Sequence, residues 1–295
     1  MKPRKTPHII AYSALTFIGL TVLCGEVGAR RAVPDDNLAY PVLITLKGGG
    51  QGSGFFLNLQ TDTFLVTARH VLFKEKTDDL LAPEAELRSY ARNPNDKSKN
   101  IFQLDLSALK QGGNIKKHAT HDVAVIRIGV RIHGTDQDTV ARSLKTLDGV
   151  VIKESAASGI LGVGDSTIKR FAEVMTANDV FIFGFPTSLG LKAIPQIDYL
   201  RPLLRAGVVA GTNEQAQTII LDCPAYGGNS GGPVLEVEED GFVKKFQIIG
   251  VVSQFVPVAE TWRNMTHGYN NTNISNPGYA IAIPMDFVLD LTGQF

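Results

Sequence analysis

The sequence feature that most restricts the fold is a repeated alternation of short apolar runs and turn residues. The runs are rich in β-branched and aromatic side chains, and Gly, Pro, Asn and Asp separate them. Many short strands with turn signals between them are typical of all-β sandwiches and barrels. We therefore predict an all-β protein with strands at 40–46, 54–59, 63–68, 122–128, 179–185, 206–211, 218–222, 232–237, 246–255 and 279–283.

Helical patterns are fewer. Apolar residues recur at helical spacing in 166–175 and again in 138–147, both between the two blocks of strands. Near the end, Pro284 can begin a helix whose apolar face is Phe287, Val288 and Leu291. We therefore expect a partly helical connection between two strand blocks and a closing helix.

The first 29 residues differ from the rest of the chain. Three basic residues occur among the first five, 9–24 is nearly uncharged and apolar, and Val27, Gly28 and Ala29 are small enough for signal peptidase. This pattern predicts a signal peptide cleaved after Ala29 and export to the periplasm or the medium. An uncleaved membrane anchor is the alternative, although the apolar stretch is short for a span.

Composition limits the function classes. The chain has 295 residues, 44% of them hydrophobic, and its 29 basic and 29 acidic residues cancel. This balance gives no sign of a nucleic-acid footprint or a polybasic membrane patch, so we expect neither partner once the leader is removed. Of the two cysteines, Cys24 lies in the predicted leader, which leaves Cys223 as a buried residue unable to form an internal disulfide.

The stretch CPAYGGNSGGPVLEV, residues 223–237, places Ser230 among four glycines before an apolar run. A serine is a weak nucleophile unless a base takes its proton, an acid orients that base and donors bind the oxyanion. Of the six histidines, His70 alone follows directly on a predicted strand, and Asp122 opens a strongly apolar one. These two residues are the candidates for base and acid.

With LVTARHV, DVAVIRI and GGNSGGPV in this order along the chain, the sequence resembles the chymotrypsin-like serine peptidases. Within them it is similar to the disulfide-free bacterial type of the Deg (high-temperature-requirement) proteases and the glutamyl endopeptidases. The resemblance covers roughly 40–290 and implies two six-stranded antiparallel β-barrels with the site between them, followed by a C-terminal helix. No PDZ-like module is expected.

The resemblance divides the chain into five parts. They are a signal peptide (1–29), a lead-in (30–39), an N-terminal barrel (40–135), a connecting segment with short helices (136–177), and a C-terminal barrel with the closing helix (178–295). The lengths of 74–120 and 130–178 exceed those of compact relatives, so we expect surface loops there.

The resemblance also implies a role for each matching residue in a serine endopeptidase that acts on proteins or peptides. His70 is expected to act as general base and then acid, Asp122 to orient it, and Ser230 to form the acyl-enzyme. The N–H groups of Gly228 and Ser230 are expected to form the oxyanion hole. Neither a metal nor another cofactor is expected.

Two departures from the family pattern bear on activation and specificity. Asn229 stands where digestive enzymes have an aspartate that pairs with a new N-terminus, so activation by that ion pair is not expected. Pro224 or Ala225 occupies the position of a basic-reading aspartate, while Ser253 and Phe255 match the strand that binds the substrate backbone. Together they predict a shallow pocket for small or medium apolar side chains.

Other interpretations remain open. GNSGG also satisfies the G-x-S-x-G pattern of α/β-hydrolase esterases, although a strand and not a helix follows the serine. A catalytically silent barrel used for binding is a second alternative. His118 and His121 could approach a cation, yet no third ligand or HExxH accompanies them, and 48–54 lacks the features of a phosphate-binding loop.

Overall fold

The computed structural model describes residues 33, 35–93, 95–132, 140–141, 144–187, 194–240 and 243–295. The signal peptide predicted at 1–29 lies outside these residues. No helix in the described part is long and apolar enough to cross a membrane.

Strands dominate the described residues. In the first half they are β1 Pro41–Leu46, β2 Gln51–Leu59, β3 Asp62–Thr67, β4 Glu84–Tyr90, β5 Lys99–Asp105, β6 Ile115–Lys117, β7 Ala124–Arg131, β8 Val140–Ala141, β9 Leu144–Thr146, β10 Val150–Glu154, β11 Ile160–Leu161 and β12 Val163–Gly164. In the second half they are β13 Asp179–Gly184, β14 Leu203–Asn213, β15 Thr218–Asp222, β16 Pro233–Asp240, β17 Val243–Phe255, β18 Val258–Arg263, β19 Asn270–Ser275 and β20 Tyr279–Pro284. The α-helices are α1 Arg69–Leu72, α2 Leu106–Gln111 and α3 Met285–Thr292, and 3-10 turns occur at Asp35–Ala39, Asp165–Thr167 and Phe171–Glu173.

The strands form two main sheets. The N-terminal sheet runs β10-β5-β4-β1-β2-β3-β7-β6, with β12 beside β2 and β9 beside β7, and it stays open as a half-barrel. The C-terminal sheet closes on itself as the six-stranded barrel β13-β14-β15-β20-β17-β16. The predicted all-β, double-barrel fold is therefore confirmed, with one closed barrel in the part of the chain that the structure describes.

Three large apolar cores stabilise these sheets, and Leu43, Tyr90 and Phe185 form a fourth, small cluster. One lies inside the half-barrel, one inside the closed barrel, and one between the two. Alternate residues of β2 go to different cores, because successive side chains of a strand point to opposite faces. Phe56 enters the half-barrel core, whereas Phe55 and Leu57 join the core between the sheets. This double burial explains why the strand reads as a continuous apolar run.

The closing helix is confirmed as α3, which buries Val288 and Leu291 and packs Phe287 against the core between the sheets. Among the described residues, neither of the two other segments forms an α-helix, although the connecting segment contains two short 3-10 helices. Within 138–147, the described residues form β8 and β9. Within 166–175, two 3-10 turns flank Ile168, which forms a parallel bridge with Ile248 of β17.

The helical spacing in 166–175 has a different cause. Ile168 and Phe171 turn inwards from an extended segment that runs along β17, while Met175 is 49% exposed.

The expectation of surface loops at 74–120 is also wrong, because β4 and β5 lie in the half-barrel, where β4 pairs with β1. The structure further contains the exposed hairpin β18–β19, which the sequence analysis did not predict.

A buried ion cluster fastens the connecting segment to the closed barrel. Lys169 is 3% exposed, and its Nζ lies 3.1 Å from Glu236 Oε1 and 3.2 Å from Glu238 Oε2. Glu236 is fully buried, and its Oε1 also accepts a 2.6 Å hydrogen bond from Asn178 Nδ2. A buried carboxylate is costly without such partners, so Lys169 is the charge that lets Glu236 stay inside.

We expect Lys169→Met to lower the free energy of unfolding by about 3–5 kcal/mol, because it leaves the Glu236 charge buried without its cation. Urea titration of the intact chain measures this. Lys244→Met is the matched control, since Lys244 pairs with Glu239 at the surface, where an ion pair contributes about 0–1 kcal/mol. Equal stabilities of the two variants would contradict this role of Lys169.

Candidate active site

The turn between β15 and β16 presents Ser230 and depends on its glycines. Gly228 and Gly231 have φ angles of +99° and +88°, a region that favours glycine. A Cβ on Gly231 would overlap the Ser53 carbonyl and the Thr67 hydroxyl, and one on Gly228 would overlap the backbone of Phe185. The glycines thus allow the turn to lie directly against the half-barrel.

Ser53 of β2 holds this turn through both its backbone and its side chain. Its N–H donates to the Ser230 carbonyl over 2.9 Å, and its hydroxyl donates to the Gly228 carbonyl over 2.6 Å. The same hydroxyl accepts a 2.9 Å hydrogen bond from the Phe185 N–H, at the end of β13. Thr67 at the end of β3 donates to the Ser53 carbonyl over 2.7 Å. Four hydrogen bonds therefore join both sheets at one buried serine.

The predicted base and acid lie side by side. β3 ends at Thr67, and His70 stands in the short helix α1 that follows, while Asp122 lies two residues before β7, the neighbour of β3. His70 Nδ1 lies 2.8 Å from Asp122 Oδ2, and the His70 N–H donates to Asp122 Oδ1 over 3.0 Å. An ionised carboxylate only accepts, so the proton of neutral His70 sits on Nδ1 and the lone pair is on Nε2.

The Asp122 carboxylate is stabilised in its charged form. Burial raises its pKa, but the hydrogen bond and charge of His70 and the 2.6 Å hydrogen bond from the Ser253 hydroxyl outweigh burial. The pKa of Asp122 is therefore held below its ordinary value of 3.8. Ser253 was predicted to bind substrate, and its side chain has this additional contact with the acid.

Ser230 Oγ donates a 3.0 Å hydrogen bond to the Ser253 carbonyl. Among the described residues it makes no hydrogen bond to His70, although both side chains line the same cleft. The N–H groups of Gly228 and Ser230 likewise donate to no described residue. They remain available to an oxygen atom placed next to the serine.

The cleft has a volume of about 980 Å³. Its walls include the three predicted catalytic residues and, of the predicted specificity residues, Ala225, Ser253 and Phe255. Pro224 is partly buried and is not part of these walls. Val252, Ile281 and Ile283 add apolar surface that the sequence analysis did not assign to the cleft.

Asn229, beside the nucleophile, is 1% exposed, and its Oδ1 accepts a 3.0 Å hydrogen bond from the Tyr226 N–H. The side-chain oxygen is thus satisfied within its own turn. Burial raises the pKa of the Cys223 thiol to about 11, which keeps it protonated at neutral pH. The described residues hold no cluster of three or more His, Cys, Asp or Glu side chains that could bind a metal ion.

Sequence reasoning missed the role of Ser53. The residue lies in GSGFFL, just before the strand predicted at 54–59. Its small polar side chain between two glycines, in an otherwise apolar strand, was the available signal, because a buried hydroxyl needs hydrogen-bond partners.

Comparison with known proteins identifies the family of the chain. A family model described as a trypsin-like peptidase domain matches residues 52–243. The solved structure titled "Crystal structure of Deg5" shares 17% identity over 86% of this chain and 88% of its own, with a TM-score of 0.48. The structure titled "Atomic resolution structure of HBP" shares 11% identity over 90% of this chain and 94% of its own, with a TM-score of 0.52. At this identity the second similarity shows the fold alone. No curated protein sequence matches the chain.

We expect Ser53→Ala to destabilise the protein and loosen the nucleophile turn. The change leaves the Phe185 N–H and the Gly228 carbonyl without their hydrogen-bond partner. Each buried group left unpaired costs about 1–3 kcal/mol of stability. Urea titration measures the loss, and hydrogen exchange at the Phe185 amide localises it. Ser107→Ala on the exposed face of α2 is the control. Unchanged stability and unchanged exchange at Phe185 in Ser53→Ala would contradict this account of Ser53.

Proposed function

Because the chain belongs to the trypsin-like peptidase family, we propose that it is a serine endopeptidase whose acyl-enzyme forms on Ser230. The observation that carries the proposal is the convergence of His70, Asp122 and Ser230 on one cleft, with Asp122 bonded to both the ring and the backbone of His70. Protein or peptide substrates follow from the family.

His70 is the proposed general base. Its Nε2 carries the lone pair, since Asp122 holds the proton on Nδ1. In the structure the Ser230 hydroxyl donates to the Ser253 carbonyl, so Oγ has to rotate towards His70 before it attacks. Hydrogen bonds of catalytic groups often tighten only with substrate bound. Once Oγ attacks the peptide carbonyl, the imidazolium forms next to the Asp122 carboxylate and later protonates the leaving amine.

The N–H groups of Gly228 and Ser230 are proposed to bind the oxyanion. Neither donates to another described residue, and the Ser53 hydroxyl holds the Gly228 carbonyl. Donors already aimed at the developing charge need no reorganisation during the reaction. The buried Asn229 completes the turn from within, so we propose that no new N-terminus is needed to form it.

The proposed specificity is for small or medium apolar side chains. Ala225 and Val252 contribute an apolar surface beside Ser230, and no acidic residue stands at 224–225. Phe255 lies at the cleft with 38% of its surface exposed, and its ring occupies space that a large substrate side chain requires. Export through the signal peptide at 1–29 is part of the same proposal and rests on the sequence alone.

A fluorophosphonate probe tests the nucleophile. We expect it to label the folded chain and not the Ser230→Ala variant, because the probe reacts only with an activated serine. Ser253→Ala is a useful comparison, since it removes a partner of Asp122 but leaves the nucleophile, and we expect slower labelling. A folded wild-type chain that neither reacts with the probe nor cleaves any member of a peptide library would instead identify a silent barrel used for binding.

Phe255→Ala tests the pocket. We expect the ratio of kcat/KM for a substrate with Phe before the cleaved bond to one with Ala there to rise about tenfold, within the range set by pocket contacts of this size. Paired fluorogenic peptides that differ only at this position measure the ratio. Trp262→Ala on the exposed hairpin is the control. A ratio unchanged in Phe255→Ala would exclude Phe255 as a determinant.

A further inference from the structure

The turn that carries Asp122 is folded around the ring of His118. This turn, residues 118–123, joins β6 to β7. His118 Nδ1 lies 3.0 Å from the backbone nitrogen of His121 and 3.3 Å from that of Thr120. The ends of the turn are closed by hydrogen bonds from the His118 N–H to the Val123 carbonyl and from the Val123 N–H to the His121 carbonyl. Asp122 lies inside this set of bonds.

The two backbone contacts define the protonation state that the turn requires. A backbone N–H can only donate, so Nδ1 of His118 must supply its lone pair to both. The Thr120 hydroxyl, at 3.4 Å, and His121 Nδ1, at 3.2 Å, also face this nitrogen, and a proton carried by either would meet the same lone pair. The ring therefore has to be neutral, with its proton on Nε2. A proton on Nδ1 would replace two acceptor contacts by two donor-to-donor contacts and release the Thr120 and His121 amides.

The turn is also tied to the helix that carries His70. Arg69 Nη1 donates to the carbonyls of His118 and Ala119, at 3.4 and 3.2 Å. A shift of the turn would therefore act on both sides of the His70–Asp122 hydrogen bond. The fold thus makes the distance between acid and base depend on the conformation of 118–123.

Two elements of the closed-barrel half pack on the outside of the turn. Phe287 of α3 stacks on His121 with ring centroids 3.6 Å apart and lies 4.8 Å from the ring centroid of His118. His121 Nε2 lies 3.2 Å from the Ala216 carbonyl in the connection between β14 and β15. Phe287 thereby covers part of the His118 ring, which is half-buried.

We propose that His118 is a positioning residue: its neutral Nδ1 holds Asp122 in place for His70, and protonation of His118 releases the turn and lowers catalysis. This inference rests on the proposed peptidase function and adds a pH-dependent requirement to it.

The charges around the ring favour the neutral form at neutral pH. Burial lowers the pKa of His118 below its ordinary 6.5, and the neighbouring His121 and the Arg69 guanidinium lower it further, while Asp290 of α3 opposes them. The neutral ring therefore stabilises the fold fully above pH 6.5, and this contribution is lost as the pH falls through the lowered pKa. The expected window of inactivation lies below pH 6.5, on the acid side.

His118→Asn is the decisive variant, because an asparagine side-chain oxygen can accept the hydrogen bond from the N–H two residues on and does not titrate in this range. We expect it to keep the wild-type kcat near pH 8. On the acid side, the slope of its log kcat/KM against pH should be smaller by one than that of the wild type, because one inactivating protonation is removed. His118→Ala, which has no acceptor, should lose about tenfold or more in kcat at all pH values, with a smaller change in KM. His267→Ala, on the exposed β18–β19 connection, is the control for removing a histidine.

A measurement that needs no turnover separates this inference from the proposed function. In the Ser230→Ala background, we expect the NMR amide resonances of Thr120 and His121 to show one more pH-dependent step below pH 6.5 when His118 is present than in His118→Asn. If this result is obtained and no peptidase activity is found, it supports the role of His118 in the turn but not the proposed function. The role of His118 would be overturned if the amide resonances of the wild-type turn did not change with pH. It would also be overturned if the acid-side slope of log kcat/KM against pH were the same in His118→Asn and the wild type.

Discussion

The structure depends most on the hydrogen bonds that converge on Ser53. Through this one residue, β2 of the half-barrel is bonded to the nucleophile turn, to the end of β13 and to the end of β3. Because these bonds are buried, losing them is costly and no water compensates. These bonds require the nucleophile turn to lie close to β2. This close approach explains Gly231, because a Cβ at that position would overlap its neighbours. The glycine-rich segment is therefore a tight turn that also holds Ser230 in position.

The proposed chemistry is divided between the two sheets. The half-barrel supplies His70 and Asp122, and the closed barrel supplies Ser230 and Ser253, so activity requires a fixed relation between them. An apolar core between the sheets provides that relation, since Phe55 and Leu57 of β2 pack with Phe181 and Phe183 of β13. Hydrogen bonds from Ser253 to Asp122 and from Ser53 to Gly228 then set the local geometry across the boundary.

Much of the fold could be predicted from the sequence because strands buried on both faces read as uninterrupted apolar runs. β4 and β5 were missed for the opposite reason: in both strands buried residues alternate with charged or polar ones, and the segments look like solvated loops. The period in 166–175 suggested a helix, yet Lys169 is drawn inwards by Glu236, a long-range pairing that no local pattern contains. The three catalytic candidates were found from motifs, whereas Ser53 and His118 act through backbone contacts that appear only when distant segments meet.

The central claim is that the chain folds directly into a site able to acylate Ser230, without a new N-terminus. Active-site titration with a p-nitrophenyl ester tests it most directly, because the first turnover releases p-nitrophenol as the acyl-enzyme forms. For wild-type chain that has received no proteolytic treatment, we expect a burst of p-nitrophenol equal to the molar amount of chain. We expect no burst from Ser230→Ala. A folded, untreated wild-type chain that gives no burst, or a burst that survives Ser230→Ala, would contradict it.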